Sequence, residues 1–498
     1  MIQKQPKALT VFFMAEMCER YGFYIILSLV IFYLTDNFHL SDGLSYEILG
    51  SITALAYANS ILGGFIADRL IGPRAAVISS FIILTIGYAL AAVFHDLTFV
   101  LADFAMITVG VGLMKPNISS MVGFLYPAND TRRYSGYTVF FMGINIGIIL
   151  GETVAGIIQK YLSWHGVFFS ASFALVTGFL LFLFGSRTTT FYNDAPHSPL
   201  QLSINYIYAL SLVILAVFAS YFIISHQECA SNFFICVAIS CFAIMAYEFY
   251  NCDNALRLKL IIFLILMIIS TCYWMLYFQM FFSMNLFVER VVDNHIWGIS
   301  IIPTVYPAIE AVSVVIIGFL FAWGWRWLEE FAPSLNPSIP MKFTLALLLH
   351  SIALGLLYYN VFVMKHGLIR PADIIPTYVL IAVGELLISP IGLAMVGELL
   401  PRRLIGLMTG IFFITQGLGA KLSGMLANFS AVPVALLNNF SAVEKIYQRG
   451  FKMYLLISVI VTFSSLLLVP ILKKYIDSLR KQRVDALKFK QKNSAIQT

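Results

Sequence analysis

Charge is what this chain has least of. Only 11% of its 498 residues are Asp, Glu, Lys or Arg, less than half the roughly 25% of a soluble domain. A water-facing surface cannot be built from that supply, and a chain that is 60% hydrophobic is equally far from a disordered one. Cysteine and histidine are scarce too. Cys18, Cys229, Cys236, Cys241, Cys252 and Cys272 lie almost entirely in apolar runs, lack metal-ligand spacing and read as small hydrophobes. Of the eight histidines only His350 falls well inside an apolar run. No nucleophile motif accompanies it, which argues against an enzyme. The formal charge of +6 is local: the segment from Lys473 onward carries a net +6 by itself, leaving the rest neutral. A solvated tail is not the basic face that nucleic acid needs.

Uninterrupted apolar sequence is abundant instead. Fourteen stretches between residues 10 and 472, among them 136–160, 165–186 and 258–286, reach the ~20 residues that cross a bilayer as a helix. They are apolar all round, unlike the alternating strands of a barrel. Loop charges test the count. With both termini cytoplasmic, the inside segments hold 21 Lys/Arg and the outside loops seven, with Arg20, Lys115 and Lys421 within spans. That excess follows the positive-inside rule and predicts fourteen spans with both ends inside.

An internal repeat divides the chain. Gly110, Pro116, Met121, Val122, Gly123, Leu125 and Pro127 recur 274 positions later as Gly384, Pro390, Met395, Val396, Gly397, Leu399 and Pro401. After a four-residue shortening, Arg132, Arg133 and Gly136 recur as Arg402, Arg403 and Gly406. The fourth span thus matches the twelfth, as two parallel six-span halves separated by two extra spans would require. This predicts an all-α major facilitator architecture, with substrate held near the midplane between the halves. The predicted units are a six-helix bundle over 1–187, a linker with two inserted helices over 188–257, a second bundle over 258–472 and a basic tail over 473–498; Arg187–Ser203, rich in Ser, Thr, Pro, Asn and Asp, reads as the linker. The run Gly63-Gly64-Phe65-Ile66-Ala67-Asp68-Arg69-Leu70-Ile71-Gly72-Pro73-Arg74 resembles that superfamily's loop between spans two and three. Its glycines permit close helix approach, and Asp68 with the arginines can form a charge latch.

A charge at mid-bilayer costs about 2.5–3.5 kcal/mol on insertion scales, so those kept there need partners or a task. Glu16, Glu19 and Arg20 fall at i, i+3 and i+4, one face of the first span. Two acids and one base leave a surplus carboxylate, a candidate proton carrier because desolvation favours the neutral form. Lys115 lies deep in the fourth span and Glu385 in the twelfth, one turn before Ser389, the repeat equivalent of Lys115. The halves therefore present opposite charges at similar depths. Such a cavity suits a zwitterion, its carboxylate toward Arg20 and Lys115 and its ammonium toward Glu385. A direct Lys115–Glu385 pair in the empty protein is compatible with this.

These residues resemble one family. Glu16-Met17-Cys18-Glu19-Arg20-Tyr21-Gly22-Phe23-Tyr24 is similar to the first signature of the proton-dependent oligopeptide transporters. Lys115-Pro116-Asn117-Ile118-Ser119 and Phe141-Met142-Gly143-Ile144-Asn145-Ile146-Gly147 resemble its second region, and Glu385-Leu386-Leu387-Ile388-Ser389-Pro390-Ile391-Gly392 its late one. The resemblance covers nearly the whole chain, including the two-helix insertion typical of bacterial members. It implies a proton-coupled symporter that imports di- and tripeptides by alternating access, with protons as the coupling ion and no cofactor. It further implies a multi-pass protein of the bacterial inner membrane, with both termini cytoplasmic, working as a monomer. Glu16, Glu19 and Arg20 would form the proton-coupling cluster. Arg20 and Lys115 would receive the peptide carboxylate, Asn145 its backbone, and Glu385 with Ser389 its amino end. Tyr24, Tyr57, Trp274 and Gln279 would line the site. The chain departs from the family at Phe278, where an acid is common, at Tyr306, where Asn is common, and at Phe23, which replaces a tyrosine. Glu152 and Glu310, both within spans, are unusual and would compensate for the missing acid. Transport of another zwitterionic or anionic solute, or export, remains the alternative on the same scaffold.

Overall fold

The computed structural model describes residues 5–126, 130, 132–185, 199–296, 299–332, 335–363 and 367–496. In lipid every backbone amide must be satisfied within the protein, which leaves helices for a chain of this composition. Among the described residues thirteen helical segments are long and apolar enough to cross a membrane. They are α1 (Lys7–Phe32), α2 (Asp42–Ile66), α3 (Pro73–Ala91), α4 (Leu97–Phe124), α5 (Arg132–Gly185), α6 (Pro199–Ser225), α7 (Gln227–Tyr250), α8 (Asn254–Tyr277) continuing into the short α9 (Ser283–Val291), α10 (Val305–Phe331), α11 (Ile339–Val363), α12 (Pro371–Leu399), α13 (Ile405–Ala427) and α14 (Phe440–Ile496). The apolar part of α5 is 51 residues long, about 77 Å as a straight rod, against a hydrocarbon core of ~30 Å. It breaks at Ser163, whose φ of 60° is the left-handed region, so α5 makes two passes and the total is fourteen. The predicted gap between spans five and six shrinks to that one residue.

Two sets of helices pack around each other's glycines. Helices α1–α5 form one set, with α1 on α5, α3 on α4 and α2 on α4; α8 and α10–α14 form the second. A Cβ at Gly63 would strike the Gly112 carbonyl, and one at Gly112 would meet Asn59 at 2.5 Å. The close helix approach expected of these glycines occurs at Gly63, against α4, whereas Gly64 has open space. Gly72, at φ 82°, then turns the chain into Pro73 at the start of α3. Asp68 and Arg69 are exposed on that turn. The linker stretch 187–198 lies outside the described residues, as does Lys365 among the counted loop charges. The inserted helices touch both sets. Ser51 Oγ donates to Gln227 Oε1 of α7 at 2.8 Å and Lys421 Nζ donates to the same oxygen at 2.9 Å. Lys421, conspicuous as a charge within a span, therefore has a structural partner.

The two sets are latched at the end that carries the α1–α2 turn. Arg290, at the end of α9, binds Asp42 in bidentate fashion, Nη1–Oδ2 2.6 Å and Nη2–Oδ1 2.9 Å. The Val432 amide donates to Asp42 Oδ2 at 2.9 Å, Asn428 Nδ2 to Glu47 at 3.0 Å and Asn285 Nδ2 to the Ser28 carbonyl at 3.0 Å. Between α9 and α10, His295–Ile296 and Ile299–Ser300 pair as a two-stranded antiparallel ribbon that the apolar pattern does not forecast.

Candidate functional site

The first-span charges are deeply buried: Glu16 is 2% exposed, Glu19 1% and Arg20 4%. Arg20 Nε lies 2.5 Å from Glu19 Oε2 and 3.4 Å from Glu16 Oε1. Its nearer partner is thus the adjacent residue, not the one a turn away that the i, i+4 spacing favours. Glu16 Oε2, Glu19 Oε1 and Arg20 Nη2 have no hydrogen-bond partner among the described residues. The cluster is therefore under-satisfied, with lone pairs and a donor left for a proton or a ligand. The Arg20 guanidinium also lies over the Phe23 ring, 4.9 Å from its centroid.

What brings this cluster to the interior is a glycine stripe. Gly143, Gly147 and Gly151 recur every fourth residue along α5. A Cβ at these positions would lie 2.8 Å from the Phe13 carbonyl, 2.5 Å from the Met17 carbonyl and 2.8 Å from the Tyr21 carbonyl, respectively. The α1 backbone runs against that groove, as small-residue stripes allow in membranes. The spacing is visible in the sequence but its role as the seat of Arg20 was not deduced from it. Asn145, on the same stretch, ties its amide nitrogen to the Phe141 carbonyl at 2.9 Å.

Lys115 makes no ion pair within 4 Å among the described residues. Its Nζ sits over the Tyr57 ring at 3.9 Å and faces Phe413 of α13 at 5.6 Å. Arg20, Glu19, Glu16 and Glu385 are all within its electrostatic range. The direct Lys115–Glu385 pair is absent, yet the two charges share one neighbourhood. Tyr24 belongs to it as well, within electrostatic range of Tyr57, Glu385, Arg20 and Glu152. Glu385 is half-buried and accepts a hydrogen bond from Tyr277 Oη at 3.3 Å. Ser389, one turn further along α12, is also half-buried.

Trp274 is buried between Tyr277 and Phe278, at ring distances of 5.0 and 6.0 Å, and its Nε1–H has no partner among the described residues. Phe278 also faces Tyr57 at 6.3 Å. Where the family often carries an acid, this chain therefore extends an aromatic wall. Gln279 stands apart from the other candidates. Its Nε2 donates to the Ser423 carbonyl (2.8 Å) and hydroxyl (2.9 Å), and Ser283 Oγ donates to its Oε1 at 2.6 Å. The amide is committed to joining α8 to α13. Glu152 and Glu310 are buried, 1% and 4% exposed, beside Glu385.

A sequence profile described as the POT family matches residues 74–443. Dipeptide and tripeptide permease A of Cronobacter turicensis is 30% identical over 475 residues, covering 95% of this chain and 94% of the relative. The protein of that name from Escherichia coli K12 is 29% identical over 470 residues, 94% and 93% of the two chains. Among solved structures, tetrameric PepTSo2 superposes with a TM-score of 0.82 at 22% identity, covering 94% of this chain and 99% of the other. A POT family transporter in complex with 5-aminolevulinic acid gives 0.80 at 22% identity, over 95% and 98%. The likeness of fold agrees with the all-α major facilitator architecture, and the profile spans well over half of the sequence. This chain belongs to the POT family, the proton-dependent oligopeptide transporters.

Proposed function

We propose that this protein imports di- and tripeptides together with protons by alternating access. One observation carries the reading: Lys115 lies within electrostatic range of both Arg20 and Glu385, and so does Tyr24. Two cations and an acid within range of one another suit a peptide's carboxylate and ammonium. Glu16 and Glu19 hold Arg20 and carry the coupling proton; Asn145 and Ser389 bond the peptide backbone and amino end. Tyr24, Tyr57 and Trp274 offer apolar area to many side chains without selecting one chemistry. Gln279 acts from behind, fixing α8 against α13. The two sets of helices rock about this site, in units 1–187 and 258–472 flanking the insertion 188–257, with the tail 473–498 cytoplasmic. Every proposed site residue comes from one chain, so a monomer suffices, seated in a bacterial inner membrane with both termini inside.

Uptake of labelled alanyl-alanine into proteoliposomes under an imposed pH gradient tests this. Accumulation with acidification of the lumen, competed by dipeptides and not by free amino acids, is expected; gradient-independent equilibration would overturn it. Phe278, in place of an acid, favours a second reading in which another small zwitterion is carried. Competition by such solutes at the potency of alanyl-alanine would establish it.

A further inference from the structure

The site's charges divide unevenly. Around α1 and α4, two acids (Glu16 and Glu19) face two bases (Arg20 and Lys115), so that side is balanced. Around α12 the acids are Glu152 of α5, Glu310 of α10 and Glu385, and among the described residues neither Glu152 nor Glu310 has an ion-pair partner within 4 Å. Glu310 lies within hydrogen-bonding reach of Glu385 and of Tyr277, whose hydroxyl also reaches Glu385. Glu310 Oε1 and Glu152 Oε2 are buried without a hydrogen-bond partner among the described residues, and so are the hydroxyls of Tyr306 and Tyr378. Tyr378 lies beside Glu152, and Tyr273 beside Glu310 and Glu385. No three described His, Cys, Asp or Glu side chains converge as a metal-ligand set.

A peptide's single ammonium can neutralise one of three carboxylates. Two ionised acids without a counter-charge in a water-poor interior are prohibitively costly, and two carboxyls within hydrogen-bonding reach attract only when a proton lies between them. We propose that Glu310 and Glu152 are proton carriers that hold protons while the peptide is bound, so that Glu385 can take its ammonium. This rests on the peptide-import reading above. Before the peptide arrives, the Glu310 carboxyl O–H donates to Glu385. The ammonium replaces that donor, the proton stays on Glu310, and a second neutralises Glu152. Neither proton leaves until the site opens to the other side.

The scaffold gives the trio a switch. Glu152 belongs to the first helix set; Glu310 and Glu385 belong to the second. One turn beyond Glu152, Gly156 packs on Ile302 and Thr304 at the start of α10. Parting the sets there separates and wets the acids, which can then exchange protons. Closure brings them together only when neutralised.

The test is the coupling ratio of the full-length protein in proteoliposomes, read as the alanyl-alanine gradient that balances a one-unit pH gradient at clamped zero voltage. Glu310→Gln and Glu152→Gln are each expected to lower that balancing gradient about tenfold, one proton per peptide. Glu310→Asp, which keeps a titratable group, is expected to retain the wild-type ratio. An unchanged ratio in both Gln variants overturns the proposal. Should either Gln variant fail to bind peptide, the wild-type protein decides. Lysyl-alanine, with a second ammonium near its amino end, should be carried with one proton fewer than alanyl-alanine, and equal ratios would overturn the idea. Absence of proton-driven uptake by the wild type would instead sink the import reading itself.

Discussion

Replacing Asp42 by Asn should unlatch the closed end of the molecule. Asp42 and Arg290 are 4% and 15% exposed at their side chains and joined by two short hydrogen bonds. Tyr447 lies 3.3 Å from the guanidinium, and the remaining capacity of Asp42 is spent on the Val432 amide. Breaking such a pair from one side costs about 3–5 kcal/mol, and Glu289 and Asp36, also within electrostatic range of Arg290, keep this case at the low end. In the opposite state, with this end open, Arg290 is hydrated and the cost disappears. Asn still accepts one hydrogen bond, so the lower bound applies, and about 3 kcal/mol shifts the closed-to-open ratio by roughly a hundredfold. The direct reporter is the Val432 amide, because its acceptor is Asp42 itself. Hydrogen exchange of the segment 428–436 in nanodiscs should accelerate by about that factor. The double variant Asp42→Asn/Arg290→Gln removes both charges and should recover much of the protection. Unchanged exchange in Asp42→Asn, or a double variant no better protected than the single one, would refute the argument from a stranded charge.

Other substitutions probe the site. Lys115→Ala and Glu385→Gln should each abolish alanyl-alanine uptake while membrane abundance is unchanged, read by immunoblot beside transport. Glu19→Gln should reduce pH-driven accumulation far more than counterflow exchange; normal accumulation removes it from coupling. At Gly147 a methyl group would sit 2.5 Å from the Met17 carbonyl and 2.8 Å from Arg20 Cβ, backbone and packed stem that cannot yield. Gly147→Ala should therefore cost about 1–3 kcal/mol, visible as a lower Tm in detergent, with Gly64→Ala, where space is open, near neutral.

The membrane makes part of this molecule easy to read. Lipid leaves the backbone little choice, so apolar run length gives helix number, and a break such as Ser163 alters a boundary without altering the count. Prolines and glycines recur between α4 and α12 because each fixes a backbone requirement, which keeps the repeat visible where side chains have drifted. Charges are equally conspicuous, since each one kept in lipid needs a reason; Glu16, Glu19, Arg20, Lys115 and Glu385 were all found that way. Partnership is another matter. Lys115 rests on the face of Tyr57, 58 positions away, and Gln279 is consumed by Ser423, 144 positions away. Helix crossing points decide both contacts, and those depend on where glycines let backbones meet. The same limit explains Glu152 and Glu310. Each is legible alone as an odd acid in an apolar span, but their lack of an ion-pair partner among the described residues and their nearness to Glu385 exist only once α5, α10 and α12 pack together. In such a chain the sequence tells which residues must be neutralised, and only the packing tells what is left to neutralise them: for these two acids, a proton.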